Sequence, residues 1–161
     1  MNYQIRPLTT TETPLLKDFL YEAIFIPEGV PAPPRSIIDD ESLQIYIRDF
    51  GQMPHDRCLV AESDGRVVGT IWGRIMNDYG HIDDQTPSIA ISLYKEYRNM
   101  GIGTELLRQM LELLKNDGYK SVSLSVQKAN YALKMYEKAG FRILSEDAEE
   151  AIMLCPLTES L

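Results

Sequence analysis

"EYRNMGIGTELL", residues 96–107, decides how the rest of the chain is read. Arg98 stands three residues before Gly101, and Gly103 follows two residues later, where an amphipathic pattern starts. Ile102, Leu106, Leu107, Met110, Leu113 and Leu114 recur at helical spacing and mark one buried stripe, with Gly118 as a fitting stop. A glycine inside a helix costs about 1 kcal/mol relative to alanine, so two at its start need a reason. A helix N-terminus has N–H groups without helical partners and carries the positive end of the dipole. Bare backbone at Gly101 and Gly103 lets an anion approach, and Arg98 is placed to add charge: by physical logic this is a phosphate site. Close helix–sheet packing is the competing reason for the glycines.

Two familiar phosphate motifs do not fit. A P-loop needs a lysine after its last glycine, and none follows here. A dinucleotide fingerprint needs a third small residue directly after a first strand; Leu106 stands there instead, late in the chain.

Working outward, "SIAISLY" before the glycines reads as an apolar strand, and "KSVSLSVQ" after the helix as another, with Val122, Leu124 and Val126 alternating. "RCLVAES" and "RVVGTIWGRI" flank Asp64 and Gly65 and predict a hairpin. "NYQIRPL" predicts a first strand, followed by a helix from about Thr13 to Phe25 with Pro14 in its first turn. "IPEGVPAPPR" interrupts regular structure and is either a connector or a substrate-covering segment. Ser36 is the predicted cap of a second helix ending at Gly51. "MNDYGHIDDQTP" is a polar loop, and "NYALKMYEKAG" a short helix with Asn130 as N-cap and Gly140 as stop. "FRIL" and "AIMLC" are the last two strands. The order βαα-βββ-αβ-αββ, without repeats or linkers, predicts a mixed α/β fold in one domain over residues 1–161.

At 161 residues a single domain buries roughly 70% of its unfolded surface and needs no staples. The net charge of −8, from 24 acidic and 16 basic residues, argues against nucleic acid and suits a cationic substrate or plain solubility. Cys58 and Cys155 lie in apolar runs, and His55 and His81 are isolated, so no disulfide framework and no metal site is expected. Without an apolar leader or a spanning run, the expectation is a cytoplasmic chain, monomer or homodimer, not at a membrane.

"RNMGIG" matches the R/Q-x-x-G-x-G/A signature of the GNAT superfamily of acetyl-CoA-dependent N-acetyltransferases, and "LSVQKANYALKMYEKAGFRI" resembles that family's second block, with Asn130, Ala132, Tyr136, Gly140 and Phe141 at its characteristic positions. The two motifs span about residues 87 to 144. The resemblance implies a mostly antiparallel mixed sheet with one parallel strand pair splayed into a V, flanked by about four helices. It places acetyl-CoA between the strand ending near Leu93 and the strand ending near Val126. Ile91, Ser92 and Leu93 would run along the pantetheine like an added strand. The N–H groups of Asn99, Met100, Gly101, Ile102, Gly103 and Thr104 would hold the pyrophosphate, with Arg98 and Asn130 beside the cofactor. A bulge at Ser92 and Leu93 would aim an N–H at the thioester oxygen.

Acetyl transfer needs a neutral amine, a polarised thioester carbonyl and a proton for the leaving thiolate. A lysine-like amine, pKa about 10.4, is neutral in only about one molecule in 2,500 at pH 7. Tyr136 matches the family's proton donor; the alternative is a core tyrosine sharing a helix face with Ala132 and Leu133. Asp83 and Asp84 are the candidate bases, Glu28 a candidate for substrate charge, and Trp72, Tyr131 and Tyr46 candidate pocket walls. The acceptor is a small-molecule or peptide amine. A non-catalytic acyl-CoA-binding sensor and a partner-binding module are the alternative functions.

Overall fold

The hairpin expected around Asp64 and Gly65 forms: both residues take positive φ, 52° and 76°, as a type I′ turn requires. It belongs to one seven-stranded sheet in a computed structural model that describes residues 2–157. The strands are β1 (Gln4–Pro7), β2 (Arg57–Ser63), β3 (Arg66–Arg74), β4 (Ser88–Leu93), β5 (Ser121–Gln127), β6 (Arg142–Glu146) and β7 (Glu150–Pro156), in the order β1-β2-β3-β4-β5-β7-β6. Only β4 and β5 are parallel neighbours; every other pairing is antiparallel. The helices are α1 (Leu15–Ala23), α2 (Glu41–Gln44), α3 (Ile102–Asn116) and α4 (Ala132–Ala139).

Alternation along the strands divides the core between the two sheet faces. Val122, Leu124 and Val126 of β5 join Leu106, Leu107, Met110 and Leu114 of α3 on one face. Leu113, expected in the stripe, is only half-buried. Trp72 of β3 and Leu16, Phe19 and Leu20 of α1 pack together on the other face with Ile38 and Phe50. Cys58 and Cys155 are both free, and burial pushes the Cys58 thiol up to about 12.

The second helix differs from its expectation. Residues 35–39 form a 3-10 turn, and only Glu41–Gln44 is α-helical. Asp40, not Ser36, is the cap: its extended backbone (ψ 137°) lets its carboxylate accept from Ser42 N at 2.9 Å. A short acidic side chain that bonds nearby backbone competes with helix continuation. Beyond α2 the chain is tied down from the sheet. Trp72 Nε1 donates to Tyr46 O at 3.1 Å, and Arg74 Nη1 donates to Ile45 O at 3.2 Å and Arg48 O at 2.8 Å. Arg74 is itself buried against Asp56, Nε to Oδ1 3.0 Å.

A second difference concerns β4. Its ladder with β3 runs from Ser88 to Leu93 without a register shift, and Tyr94 N continues it to Val68 O at 3.0 Å. The bulge expected at Ser92 and Leu93 is absent. Gly69, opposite Leu93, explains the flat ladder: a Cβ there would stand 2.7 Å from Leu93 Cδ2.

Candidate active site

The parallel pair is barely a pair. β4 and β5 share a single register match, Ser88 with Ser123, closed by Ser123 N donating to Pro87 O at 2.9 Å. β5 is fully paired to β7 on its other side, and β4 to β3. Past Ser88 the two strands therefore part. Because Tyr94 N points to β3, ladder alternation turns the backbone groups of Ile91 and Leu93 toward the gap. Such an edge is ready for an added strand of amide groups.

The gap leads into the glycine turn. Asn99 and Gly101 both take left-handed conformations, φ 61° and 85°. Alternation of left-handed with other backbone turns successive N–H groups toward one concavity, the geometry of an anion nest. Glu105 N donates to Gly101 O at 3.1 Å, so the N–H groups of Ile102, Gly103 and Thr104 precede the first helical bond of α3 and lack helical partners. Gly103 is where space is short: a Cβ would meet Leu93 Cδ1 at 3.3 Å, Met135 Sδ at 3.7 Å and Ile91 Cδ1 at 3.8 Å. Those three side chains come from β4 and α4, the two sides of the gap. Met100 and Gly101 are exposed at the outer end of the turn, while Ile102 is buried beneath it.

Arg98 is anchored within the protein. Nε donates to Leu93 O at 3.0 Å, and Nη2 reaches Glu22 O and Glu22 Oε2, both at 3.2 Å. The Leu93 carbonyl faces the gap where no β5 N–H reaches it, and Arg98 satisfies it while fastening the turn to α1. Asn130 is used as a cap: its Oδ1 accepts from Ala132 N at 2.9 Å. Tyr136 lies on α4 at 8% exposure, its ring edge-on to Phe141 with centroids 5.9 Å apart. Burial raises the pKa of its hydroxyl above the ordinary phenol value, so it carries its proton at neutral pH.

Other expected site residues are not brought together. Trp72 is completely buried at 0% exposure and is core, not a pocket wall. Asp83 closes a local turn by accepting from Gln85 N at 2.9 Å, and that bond, with Thr86, lowers its pKa, the opposite of what a base near neutral pH needs. The Asp84 side chain is 97% exposed, 3.8 Å from His81 Nε2. Glu28 and Tyr131 are exposed.

The structure gathers a polar group on the loop predicted over residues 76–87. Asp78 folds back onto the sheet face opposite α3. Ser88 Oγ donates to its Oδ1 at 2.9 Å and Tyr46 Oη to its Oδ2 at 3.2 Å. Burial raises the pKa of Asp78, and burial together with the Asp78 charge raises that of Tyr46. Gly80 lets the loop lie on β5, since a Cβ there would stand 3.1 Å from Ser125 N, and Ser123 Oγ donates to Gly80 O at 2.8 Å. The one available signal was the serine at alternate positions of "SVSLSVQ", polar residues on a face flanked by helices. Among the described residues no cluster of histidine, cysteine or carboxylate could hold a metal ion, and no helix is long and apolar enough to cross a membrane.

Comparison with known proteins agrees with this architecture. The profile of the acetyltransferase (GNAT) family matches residues 21–141. A probable N-acetyltransferase camello from Xenopus tropicalis is 34% identical over 94 residues, which are 56% of this chain and 41% of that protein. An N-alpha-acetyltransferase from Sulfurisphaera tokodaii is 33% identical over 115 residues, 62% of this chain and 68% of that one. The chain thus spans about two-fifths of the frog relative's length and about two-thirds of the archaeal one. Among solved structures, an N-acetyltransferase from Staphylococcus aureus Mu50 superposes with a TM-score of 0.73 at 18% identity, covering 98% of this chain and 100% of that one. PaiA N-acetyltransferase from Thermoplasma acidophilum, solved in complex with coenzyme A, gives 0.70 at 21% identity, covering 97% and 99%. At these identities the two structures establish the fold.

Proposed function

Since the chain belongs to the acetyltransferase (GNAT) family, we propose that it moves an acetyl group from acetyl-CoA to a primary amine by direct transfer in a ternary complex, within a single domain. The observation that carries this reading is the β4–β5 pair, closed only at Ser88 and Ser123 and opening onto a left-handed glycine turn.

Acetyl-CoA supplies an activated acyl group whose thioester the amine attacks. The residues of this chain do the rest. Along the segment Ile91, Ser92 and Leu93, the backbone groups of Ile91 and Leu93 offer a strand edge to the pantetheine amides. The N–H groups of Asn99, Met100, Gly101, Ile102, Gly103 and Thr104 hold the diphosphate, assisted by the dipole of α3. Arg98 acts mainly by fixing the turn through Leu93 and Glu22. Asn130 acts by capping α4, the helix that carries Tyr136. Tyr136 holds a proton on its buried hydroxyl and delivers it to the leaving sulfur.

The acidic balance of the chain favours a cationic acceptor. The test is incubation of the protein and acetyl-CoA with spermidine, lysine, glucosamine and an alanine-initiated peptide, reading free thiol. Amine-dependent thiol release is expected, fastest with the acceptor of highest positive charge, spermidine, and slowed by salt. Tight acetyl-CoA binding without thiol release identifies a sensor instead. Absence of acetyl-CoA binding leaves a partner-binding module.

A further inference from the structure

The acetyl-transfer reading leaves one step without a residue: removal of the proton that keeps an alkylamine from attacking. Asp83 and Asp84 are exposed and turned to local structure. Asp78 is different in place and in surroundings.

Ser88, which holds one Asp78 oxygen, is the last residue of β4 in register with β5. The carboxylate therefore sits where the two strands begin to part. It lies on the face to which Ser123 and Ser125 of β5 point, because Val122, Leu124 and Val126 point to α3. The cradle for the acyl donor opens on the α3 and α4 side, so the opposite face is where a second reactant meets the gap. Asp78 is half-buried, reachable from solvent yet removed from bulk water, and Tyr46 and Ser88 fix both its oxygens.

A second observation points to the same face. Ser92 shares the orientation of Ser88 and Ala90 on β4. It is 5% exposed, and its Oγ has no hydrogen-bond partner. A buried hydroxyl left unpaired forfeits the hydrogen bonds it made to water, so an unpaired one asks for a ligand group to complete it. Charge on this side is negative as well: Glu150 of β7, held by Gln127 Nε2 at 2.7 Å, acts electrostatically on Tyr46. An ammonium group is the reactant that such a surface attracts.

We propose that Asp78 is the general base of the reaction, receiving the acceptor as an ammonium ion at the mouth of the gap and taking one proton from it. This inference rests on the acetyl-transfer reading. The step balances: R–NH3+ and the Asp78 carboxylate give R–NH2 and the carboxylic acid, which returns its proton to water. The freed nitrogen lone pair then forms the C–N bond as the C–S bond breaks; Tyr136 protonates the departing sulfur, and the second proton of the acylated nitrogen passes through water to restore the phenol. Burial favours this use, since each pKa unit by which it raises the carboxyl makes the transfer from nitrogen tenfold less uphill. Tyr46 is a positioning residue, donating to Asp78 Oδ2 and leaving Oδ1 to Ser88.

The test compares two acceptors in wild-type protein and Asp78→Asn, which keeps the size and removes the base. One is the most reactive protonated amine of the panel above; the other is hydroxylamine, largely neutral at pH 7. With the protonated amine, kcat/KM should fall by about 100-fold or more, and with hydroxylamine by less than about 5-fold. Acetyl-CoA affinity should be unchanged, and Asp78→Glu should recover part of the loss. A readout independent of turnover is the amide spectrum without acetyl-CoA. The protonated amine should shift the signals of Ser88, Ser123 and Ser125 in wild type and not in Asp78→Asn. Equal losses with both acceptors, no loss, or amine-induced shifts that survive Asp78→Asn overturn the assignment while leaving acetyl transfer intact. Wild-type protein that binds acetyl-CoA and acetylates nothing removes both.

Discussion

Replacing Gly101 by asparagine and by aspartate separates the charge of the phosphate cradle from its shape. Gly101 takes φ 85° and ψ −5°, and a Cβ there meets nothing within 4 Å. Both substitutes fit in space, have the same size and tolerate left-handed backbone better than other side chains. The strain, about 1 kcal/mol, is common to the two and lowers Tm by about 2–4 °C. They differ by one negative charge beside the N–H groups of Ile102 and Gly103. A carboxylate about 6 Å from a phosphate opposes it by about 3 kcal/mol per unit charge at an effective dielectric constant of about 20. Screening over a Debye length of about 8 Å roughly halves this. Gly101→Asp should therefore bind acetyl-CoA about 10- to 30-fold more weakly than Gly101→Asn, measured by calorimetric titration at about 0.15 M salt. The gap should narrow as salt is raised. Two folded variants with equal affinity would show that no anion sits at the start of α3, and the placement of the diphosphate would fall.

Tyr136→Phe should lower kcat by about 100-fold with little change in acetyl-CoA affinity, and an acyl donor with a more acidic thiol should restore part of the rate. Wild-type turnover, measured where chemistry limits the rate, would leave Tyr136 as a packing residue. Arg74→Met should cost about 3–5 kcal/mol, or roughly 10 °C in Tm, because it leaves the Asp56 carboxylate, at 1% side-chain exposure, buried without its partner and releases residues 45–48. Glu12 titrates at about 2 in the folded protein because Arg6 binds it, below its ordinary value. A depressed carboxyl contributes stability that is present above about pH 4.5 and is lost as pH falls toward 2. Acid titration of Glu12→Gln followed by circular dichroism should show that part of the loss removed.

What the sequence revealed was what local chemistry dictates. The Asp64 and Gly65 turn, the stripe of α3 and the Gly140 stop each follow from a short-range preference, and each stands in the structure. The glycine turn was legible for the same reason, since the left-handed backbone at residue 101 favours glycine. The failures are contacts between distant segments. The second helix shortened because Asp40 captures Ser42 and because Trp72 and Arg74 bind the following carbonyls from another element. Arg98 has a structural use that its motif does not show, bonding a gap-facing carbonyl on β4 and a carboxylate on α1. Asp78 was invisible among the polar residues of its loop, because its burial depends on Gly80 lying against β5. Trp72 shows the reverse: an aromatic in a strand fits a pocket or a core equally well until the opposite helix is placed.

The most direct test of the central claim is a crystal structure of this chain with coenzyme A. The pantetheine is expected in the gap beyond Ser88 and Ser123, its amides bonded to the free edge at Ile91 and Leu93. The diphosphate is expected on the N–H groups between Asn99 and Thr104. Coenzyme A bound at any other surface, with β4 and β5 unchanged around an empty gap, would contradict the account.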